Sequence, residues 1–187
     1  MEDLPKILRD ERKLKNTCGR QIFEYAQRVL DGDESVIQDL QNQNLTRIKF
    51  KINLNILLRK PIPERSKDQT QSETVPIRNF AAEFNFIHFL VILGKTKILK
   101  SLNLLDDVIL SAVSVTNVEE VVRRKDAWIF GATSVHLAAM FSHKALKVLI
   151  EKAKNKDLIM SHPNSEDHRS ISPMHVAAMS HEPLSIK

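Results

Sequence analysis

The sequence predicts an all-α solenoid of helix-turn-helix repeats with insertions. First, Gly131–Ala139 and Ser170–Ala178 share one nine-residue pattern, and its histidines, His136 and His175, lie 39 positions apart. Self-similarity at this scale is typical of repeat architectures. Second, Lys144–Ala153 follows the first copy with apolar residues at helical spacing. Third, 42% hydrophobic and 27% charged residues are ordinary for a globular protein, so 187 residues suffice for one sizeable core.

The shared pattern has a physical basis at a helix start. Thr133 and Ser172 are good N-cap residues, because their side-chain oxygens can accept hydrogen bonds from the free amides of the first turn. Pro173 fits the first helical position, where its missing N–H removes no bond. The pairs Ala138–Ala139 and Ala177–Ala178 are small, so we expect neighbouring helices to approach closely there.

These segments resemble a known repeat family. Thr133–Ala138 reads Thr-Ser-Val-His-Leu-Ala and Ser172–Ala177 reads Ser-Pro-Met-His-Val-Ala, which is similar to the ankyrin-repeat signature T-P-L-H-x-A. The resemblance implies that His136 and His175 bond to the turn of an adjacent repeat and hold the stack together. It also implies a scaffold that binds other proteins and is not an enzyme.

Two weaker copies precede these. Ile87–Gly94 keeps His88 and a turn glycine six positions apart, but Asn85 stands where the signature has Thr, and larger residues replace the alanine pair. Ile22–Leu40 reads as a helix, a Gly-Asp turn and a second helix, which resembles an amino-terminal capping repeat. Considered without the family, it is a helical hairpin.

In chain order we expect four segments: a charged leader (1–20), a helical hairpin that could serve as a capping repeat (21–58), a flexible polar insertion (59–79) and divergent ankyrin repeats of which the last is incomplete (80–187). The insertion has a Pro-, Ser-, Gln- and Thr-rich composition that buries little apolar surface. Within the second segment, Phe50–Ile56 alternates apolar and polar residues, which favours a strand. A helix that continues through Leu57 and Leu58 is the alternative.

The connections between repeats are long. The 39-residue spacing of His136 and His175 exceeds the family period of about 33 residues, and we expect 154–169 to contain the additional residues. The last copy reaches Lys187 within its expected second helix, whereas a solenoid needs a polar terminal cap. We therefore expect a fragment, a truncated product or a protein whose cap comes from a partner.

The cellular location is predicted from the charged first 20 residues, the short apolar runs and the single cysteine. The first 20 residues are dominated by charge, and the longest apolar run, Phe86–Leu93, is far shorter than the roughly 20 residues that span a bilayer. Cys18 is a single cysteine, which suits a reducing compartment. We expect a cytoplasmic or nuclear protein without a membrane partner.

The sequence predicts no catalytic, cofactor or metal site. Gly94–Thr96 resembles the end of a phosphate-binding loop, but Phe89 occupies the position of the required earlier glycine. Four histidines fall between His162 and His181, at gaps of six and seven that do not match the paired ligands of zinc sites. Cys18 has no neighbouring His that would activate it.

The net charge of +5 raises a lesser alternative, a basic protein that binds acidic partners or nucleic acid. Acidic residues are interspersed with the basic ones, as in Arg9–Arg12 and Glu119–Lys125, and aromatic residues make up only 5%. Solvated helix faces explain most of this pattern, so nucleic acid is the less favoured partner.

We predict a protein-interaction module, with a regulatory ankyrin segment of a larger signalling or channel protein as the competing class. The expected contacts are hairpin tips and first-helix ends: Asp126, Trp128, Met140, Phe141, Asp167, Arg169 and Met179. Trp128 could anchor a partner, as aromatic residues often do. Its alternative role, shared with Phe141, is to fill the core between repeats.

Overall fold

The computed structural model describes residues 4–10, 20–42, 45–53, 81–115, 131–161 and 171–179, and these are mostly helical, as the sequence predicts, whereas the solenoid arrangement stays a prediction. In chain order the described elements are α1 (Leu4–Leu8), α2 (Arg20–Asp31), α3 (Val36–Asn42), a 3₁₀ turn (Leu45–Arg47), β1 (Phe50–Asn53), β2 (Ala81–Phe84), α4 (Phe86–Ile92), α5 (Thr96–Ser101), α6 (Asp106–Ile109), β3 (Ser114–Val115), α7 (Ser134–Phe141), α8 (His143–Lys152), α9 (Lys156–Ser161) and α10 (Pro173–Met179). The predicted insertion, 59–79, lies outside the described residues.

A small antiparallel sheet accompanies the helices, in the order β1-β2-β3. Phe50 pairs with Phe84 across β1 and β2, and Ala82 pairs with Val115 across β2 and β3. In β1, Phe50 is buried and Lys51 is exposed, as the period of a strand requires. The alternation in the sequence therefore marks a strand over Phe50–Asn53.

The aromatic ring of Phe86, at the start of α4, joins three parts of the chain. Its centroid lies 5.4 Å from that of Phe50 in β1 and 6.2 Å from that of Tyr25 in α2. Phe86 is fully buried, so these edge and tilted ring contacts exclude water. They fix the sheet and the α2–α3 hairpin against α4.

The turns of two hairpins share one geometry. Gly32 follows α2 with φ 80°, and Gly94 follows α4 with φ 66°. In each, the amide after the glycine donates to the carbonyl five residues earlier at 2.9 Å, which is a Schellman motif that needs the left-handed conformation. A Cβ on Gly94 would lie 3.4 Å from the Oγ atom of Ser142, the residue between α7 and α8. The α4–α5 and α7–α8 turns are thus neighbours in space.

The helices of the second half pack in two groups: α4, α7 and α10 form one, and α5 and α8 form the other. Helix α4 contacts α7, and α7 contacts α10, so these three form what we call the first-helix row. Helix α5 packs on α4 and on α8, and α8 packs on α7. All seven residues of α4 are buried, and α7 is buried from Ser134 to Ala139. Helices that are apolar on all sides, like α4, lie inside a core.

Long side chains tie the α2–α3 hairpin to the α4–α5 hairpin. The Nζ atom of Lys95 donates to the Leu30 carbonyl at 3.1 Å, near the end of α2. The Nε2 atom of Gln41 donates to the Ser101 carbonyl at 3.3 Å, where α3 and α5 end. Corresponding ends of these two hairpins therefore lie side by side.

The next pair of hairpins is joined in a similar way. The Nζ atom of Lys152 donates to the Leu102 carbonyl at 2.8 Å. The carboxylate of Asp106, at the start of α6, accepts hydrogen bonds from the amides of Lys154 (3.0 Å) and Asn155 (3.2 Å), just before α9. The sequence predicts a connection over 154–169, whereas the structure has helix α9 at Lys156–Ser161.

Candidate interaction surface

Three turns that precede helices of the first-helix row contain the same histidine arrangement. In the first, the Asn85 amide donates to His88 Nδ1 at 3.0 Å, and the His88 amide donates to Asn85 Oδ1 at 2.9 Å. This reciprocal pair is a capping box, so Asn85 takes the place of the Thr that the sequence lacks there. The Nε2 atom of His88 lies 2.8 Å from the Ser111 carbonyl.

The second turn repeats this arrangement at the start of α7. The Thr133 amide donates to His136 Nδ1 at 3.2 Å, and the Thr133 hydroxyl lies 2.9 Å from the same nitrogen. The Nε2 atom of His136 is 2.9 Å from the carbonyl of Ile171, the residue before the Ser172 cap of α10. The second copy of the sequence motif thus receives a hydrogen bond from the first.

In the third turn, the described residues form only the local hydrogen bonds. The Ser172 amide donates to His175 Nδ1 at 3.2 Å, and the Ser172 hydroxyl lies 2.8 Å from that nitrogen. The His175 side chain is exposed, whereas His88 and His136 are fully buried. Among the described residues, none accepts a hydrogen bond from His175 Nε2.

A carbonyl oxygen can only accept, so the proton of His88 lies on Nε2 and Nδ1 is free to accept the Asn85 amide. Burial disfavours the charged imidazolium and lowers the His88 pKa to about 4; the Ser111 carbonyl opposes this shift, and the Lys49 charge adds to it. His88 is therefore a neutral structural donor and acceptor at neutral pH.

The structure describes three of the seven predicted partner residues. Met140 and Phe141 end α7, are half-buried and pack against the core. Met179 ends α10 and is 55% exposed. The other four lie outside the described residues: Asp126, Trp128, Asp167 and Arg169. All seven assignments stay predictions.

Met174, which is 63% exposed on α10, is not among the residues that the sequence motif indicates as partner contacts. The motif places it at the apolar position occupied by Val135 in α7, and Val135 is completely buried. Tertiary packing distinguishes the two positions. Helix α10 packs on α7, the preceding helix of the row, and Met174 lies on the exposed side of α10. Met174, in the first turn of α10, and Met179, at its end, are both exposed apolar side chains.

The outer sides of α5 and α8 and the start of α9 form a second surface, which we call the lysine face. Since α5 and α8 pack on each other and on α4 and α7, their exposed sides point away from the first-helix row. The lysine face comprises Lys97, Lys100, Lys144, Lys147, Lys154 and Lys156, all exposed.

In the α2–α3 hairpin, by contrast, Arg28 is paired with two carboxylates. Arg28 contacts the carboxylates of Asp33 at 2.8 Å and Asp39 at 2.7 Å, and both bonds raise its pKa. Hydrogen bonds from Ser35, then from Arg28, lower the Asp33 pKa to about 2. This network closes the α2–α3 turn.

No group of three or more His, Cys, Asp or Glu side chains suited to a metal ion occurs among the residues that the structure describes. Within the same part of the chain, no helix is long and apolar enough to cross a membrane. A scan against protein-family models, a search of curated proteins and a search of solved structures each found no match.

Proposed function

We propose that this protein is a non-catalytic protein-interaction module built from divergent ankyrin-type repeats, acting in the cytoplasm or the nucleus. The observation that carries the proposal is the hydrogen bond from His136 Nε2 to the Ile171 carbonyl. It connects one copy of the Thr/Ser-x-x-His motif to the turn of the next copy, which is the role that the resemblance to ankyrin repeats implies.

Three further features support stacked repeats. The first-helix row places α4, α7 and α10 side by side, and α5 and α8 form a second layer beside it. The turns at Gly94 and Ser142 adjoin, as equivalent turns of neighbouring repeats do. A buried alanine on each of two row helices, Ala138 and Ala177, permits close packing. Nearest-neighbour packing of this kind is how solenoids hold together.

The interaction surface in this proposal includes the ends of the first-helix row. Met179 and Met174 expose flexible apolar side chains that adapt to varied partners. Met140 and Phe141 add a half-buried margin at the corresponding end of α7. Exposed apolar surface bordered by polar residues is typical of protein-binding sites.

The test is affinity capture with the full chain, the Met179→Glu variant and the Gln38→Glu variant as control. Both positions are exposed, so neither substitution should lower the melting temperature. Quantitative mass spectrometry should show a protein that the full chain and the control enrich and that Met179→Glu loses. Equal recovery with all three chains contradicts this surface, and no enrichment above bare resin contradicts the function.

A further inference from the structure

The lysine face contains more positive charge than the fold uses. Other lysines in the same hairpins have structural partners: Lys95 and Lys152 donate to backbone carbonyls. Of the six lysine side chains in the lysine face, none forms a hydrogen bond or an ion pair through its ammonium group within the described residues. With Glu151, Asp157 and Asp106 as the neighbouring acids, six positive and three negative charges leave a local charge of +3.

The lysines occupy equivalent places on adjacent helices. Lys97 and Lys100 lie one turn apart on the exposed side of α5, and Lys144 and Lys147 lie one turn apart on that of α8. Because α5 and α8 pack together, these four side chains share one surface. A field of one sign over such a surface attracts and orients an oppositely charged partner.

Two exposed leucines border the same surface. Leu105 is 41% exposed just before α6, and Leu158 is 46% exposed in α9. Asp106 joins the two places, because its carboxylate accepts the amides of Lys154 and Asn155. The lysine face therefore ends in an apolar margin.

We infer that the lysine face binds an acidic segment of a partner protein that also carries aliphatic side chains. The lysines complement its carboxylates, and Leu105 and Leu158 cover its apolar residues. The inference rests on the proposed function in taking the partner to be a protein, and it adds a surface that does not include Met179.

The composition of the surface favours this partner. Single-stranded nucleic acid is bound through stacked aromatic side chains, and base edges are read most often by arginine; the described surface contains lysines and leucines instead. An anionic membrane is bound by a long amphipathic helix with a broad apolar side, whereas α9 has six residues and one strongly exposed leucine.

The experiment measures binding of a fluorescent glutamate-rich peptide with interspersed leucines by anisotropy, at about 50 mM salt, where screening is weak. The matched control peptide has lysine in place of every glutamate. The lysine-face variant changes four residues to glutamine: Lys97, Lys100, Lys144 and Lys147. The control variant removes four exposed positive charges elsewhere, also to glutamine: Lys6, Arg20, Lys49 and Lys51.

The lysine-face variant should bind the acidic peptide about tenfold more weakly, because exposed ion pairs each contribute little and four are lost. The control variant should lose less than about twofold through net charge alone. Leu158→Ser should weaken binding about threefold, since it removes a single partly exposed side chain. All variants should keep the parent melting temperature, because the changed residues are exposed.

Equal loss in the lysine-face and control variants would overturn the inference, as would absence of peptide binding by the parent chain. Tighter binding of duplex DNA, lost in the lysine-face variant, would overturn it in favour of nucleic acid. Binding of phosphatidylserine vesicles with the same sensitivity would overturn it in favour of a membrane. The Met179→Glu capture result concerns another surface, so either proposal can fail while the other holds.

Discussion

The turns that open α7 and α10 have the same local bonds and different surroundings. In both, a Thr or Ser amide donates to histidine Nδ1 at 3.2 Å. His136 is completely buried and reaches the Ile171 carbonyl, whereas His175 is exposed. The adjoining residues differ likewise: Ala139 is buried in α7 and Ala178 is exposed in α10.

This comparison separates two kinds of interaction made by the same motif: local cap bonds and contacts with a following turn. The cap bonds arise within a few residues, so they form wherever Thr or Ser precedes His by three positions at a helix start. Burial and the second histidine bond require a following turn that offers a carbonyl. Matched substitutions in the two turns should therefore differ in their cost in unfolding free energy, and the difference measures the contribution of the neighbouring turn.

The largest effect is expected for His136→Ala against His175→Ala. His136→Ala leaves the Ile171 carbonyl and the Thr133 amide without their partners and opens a cavity, which should cost about 2–4 kcal/mol of unfolding free energy. His175→Ala should cost less than about 1 kcal/mol, because water reaches its site. Urea unfolding of both variants measures the difference, and equal costs would break the comparison.

Acid should lower the free energy of unfolding, because buried His88 takes up a proton more readily in the unfolded chain. Its pKa is about 4 in the folded protein and 6.5 as the ordinary value, so between these values the unfolded chain binds more protons. Stability is fully present above pH 6.5 and should fall by up to about 3 kcal/mol as pH drops toward 4.

Urea unfolding across this pH range gives the slope, and His88→Gln removes the titrating group for comparison. The variant is less stable at neutral pH, yet its stability should depend less on pH below 6.5. A slope that is the same with and without His88 would show that other groups cause the acid sensitivity.

A smaller difference is expected for Ala139→Leu against Ala178→Leu, which occupy the same position of the motif. Leucine at the buried site overpacks the contacts of α7 and should cost about 1–3 kcal/mol. Leucine at exposed Ala178 should change stability by less than about 0.5 kcal/mol. Thermal unfolding of both variants measures these changes in stability. An Ala139→Leu variant as stable as the parent would show that α7 is loosely packed.

The features predictable from the sequence are those encoded over short distances. The motif identifies the starts of α7 and α10, and apolar spacing over Lys144–Ala153 predicts α8 within one residue at each end. Asn85 departs from the Thr of the signature in the weaker copy at Ile87–Gly94, yet it caps α4, because an amide oxygen accepts the same bond as a hydroxyl.

The remaining features depend on contacts that are distant in the chain. β1 is indicated by its alternation, but its partner Ala81–Phe84 follows after a long interval, and the short apolar stretch of β2 has no clear period. The exposure of Met174 and the shared surface of α5 and α8 follow from which helices pack together. A single sequence does not specify those neighbours.

The most direct test of stacked repeats is the tautomer and the solvent exchange of the histidine ring N–H protons in ¹⁵N-labelled protein, where long-range ¹H–¹⁵N correlation gives the tautomer and one-bond correlation gives the exchange. We predict that His136 is the neutral tautomer with its proton on Nε2 and that this proton exchanges slowly, because it is buried and bonded to Ile171. The Nε2 proton of exposed His175 should exchange too fast to observe. A His136 proton that exchanges as fast as that of His175 would contradict the account.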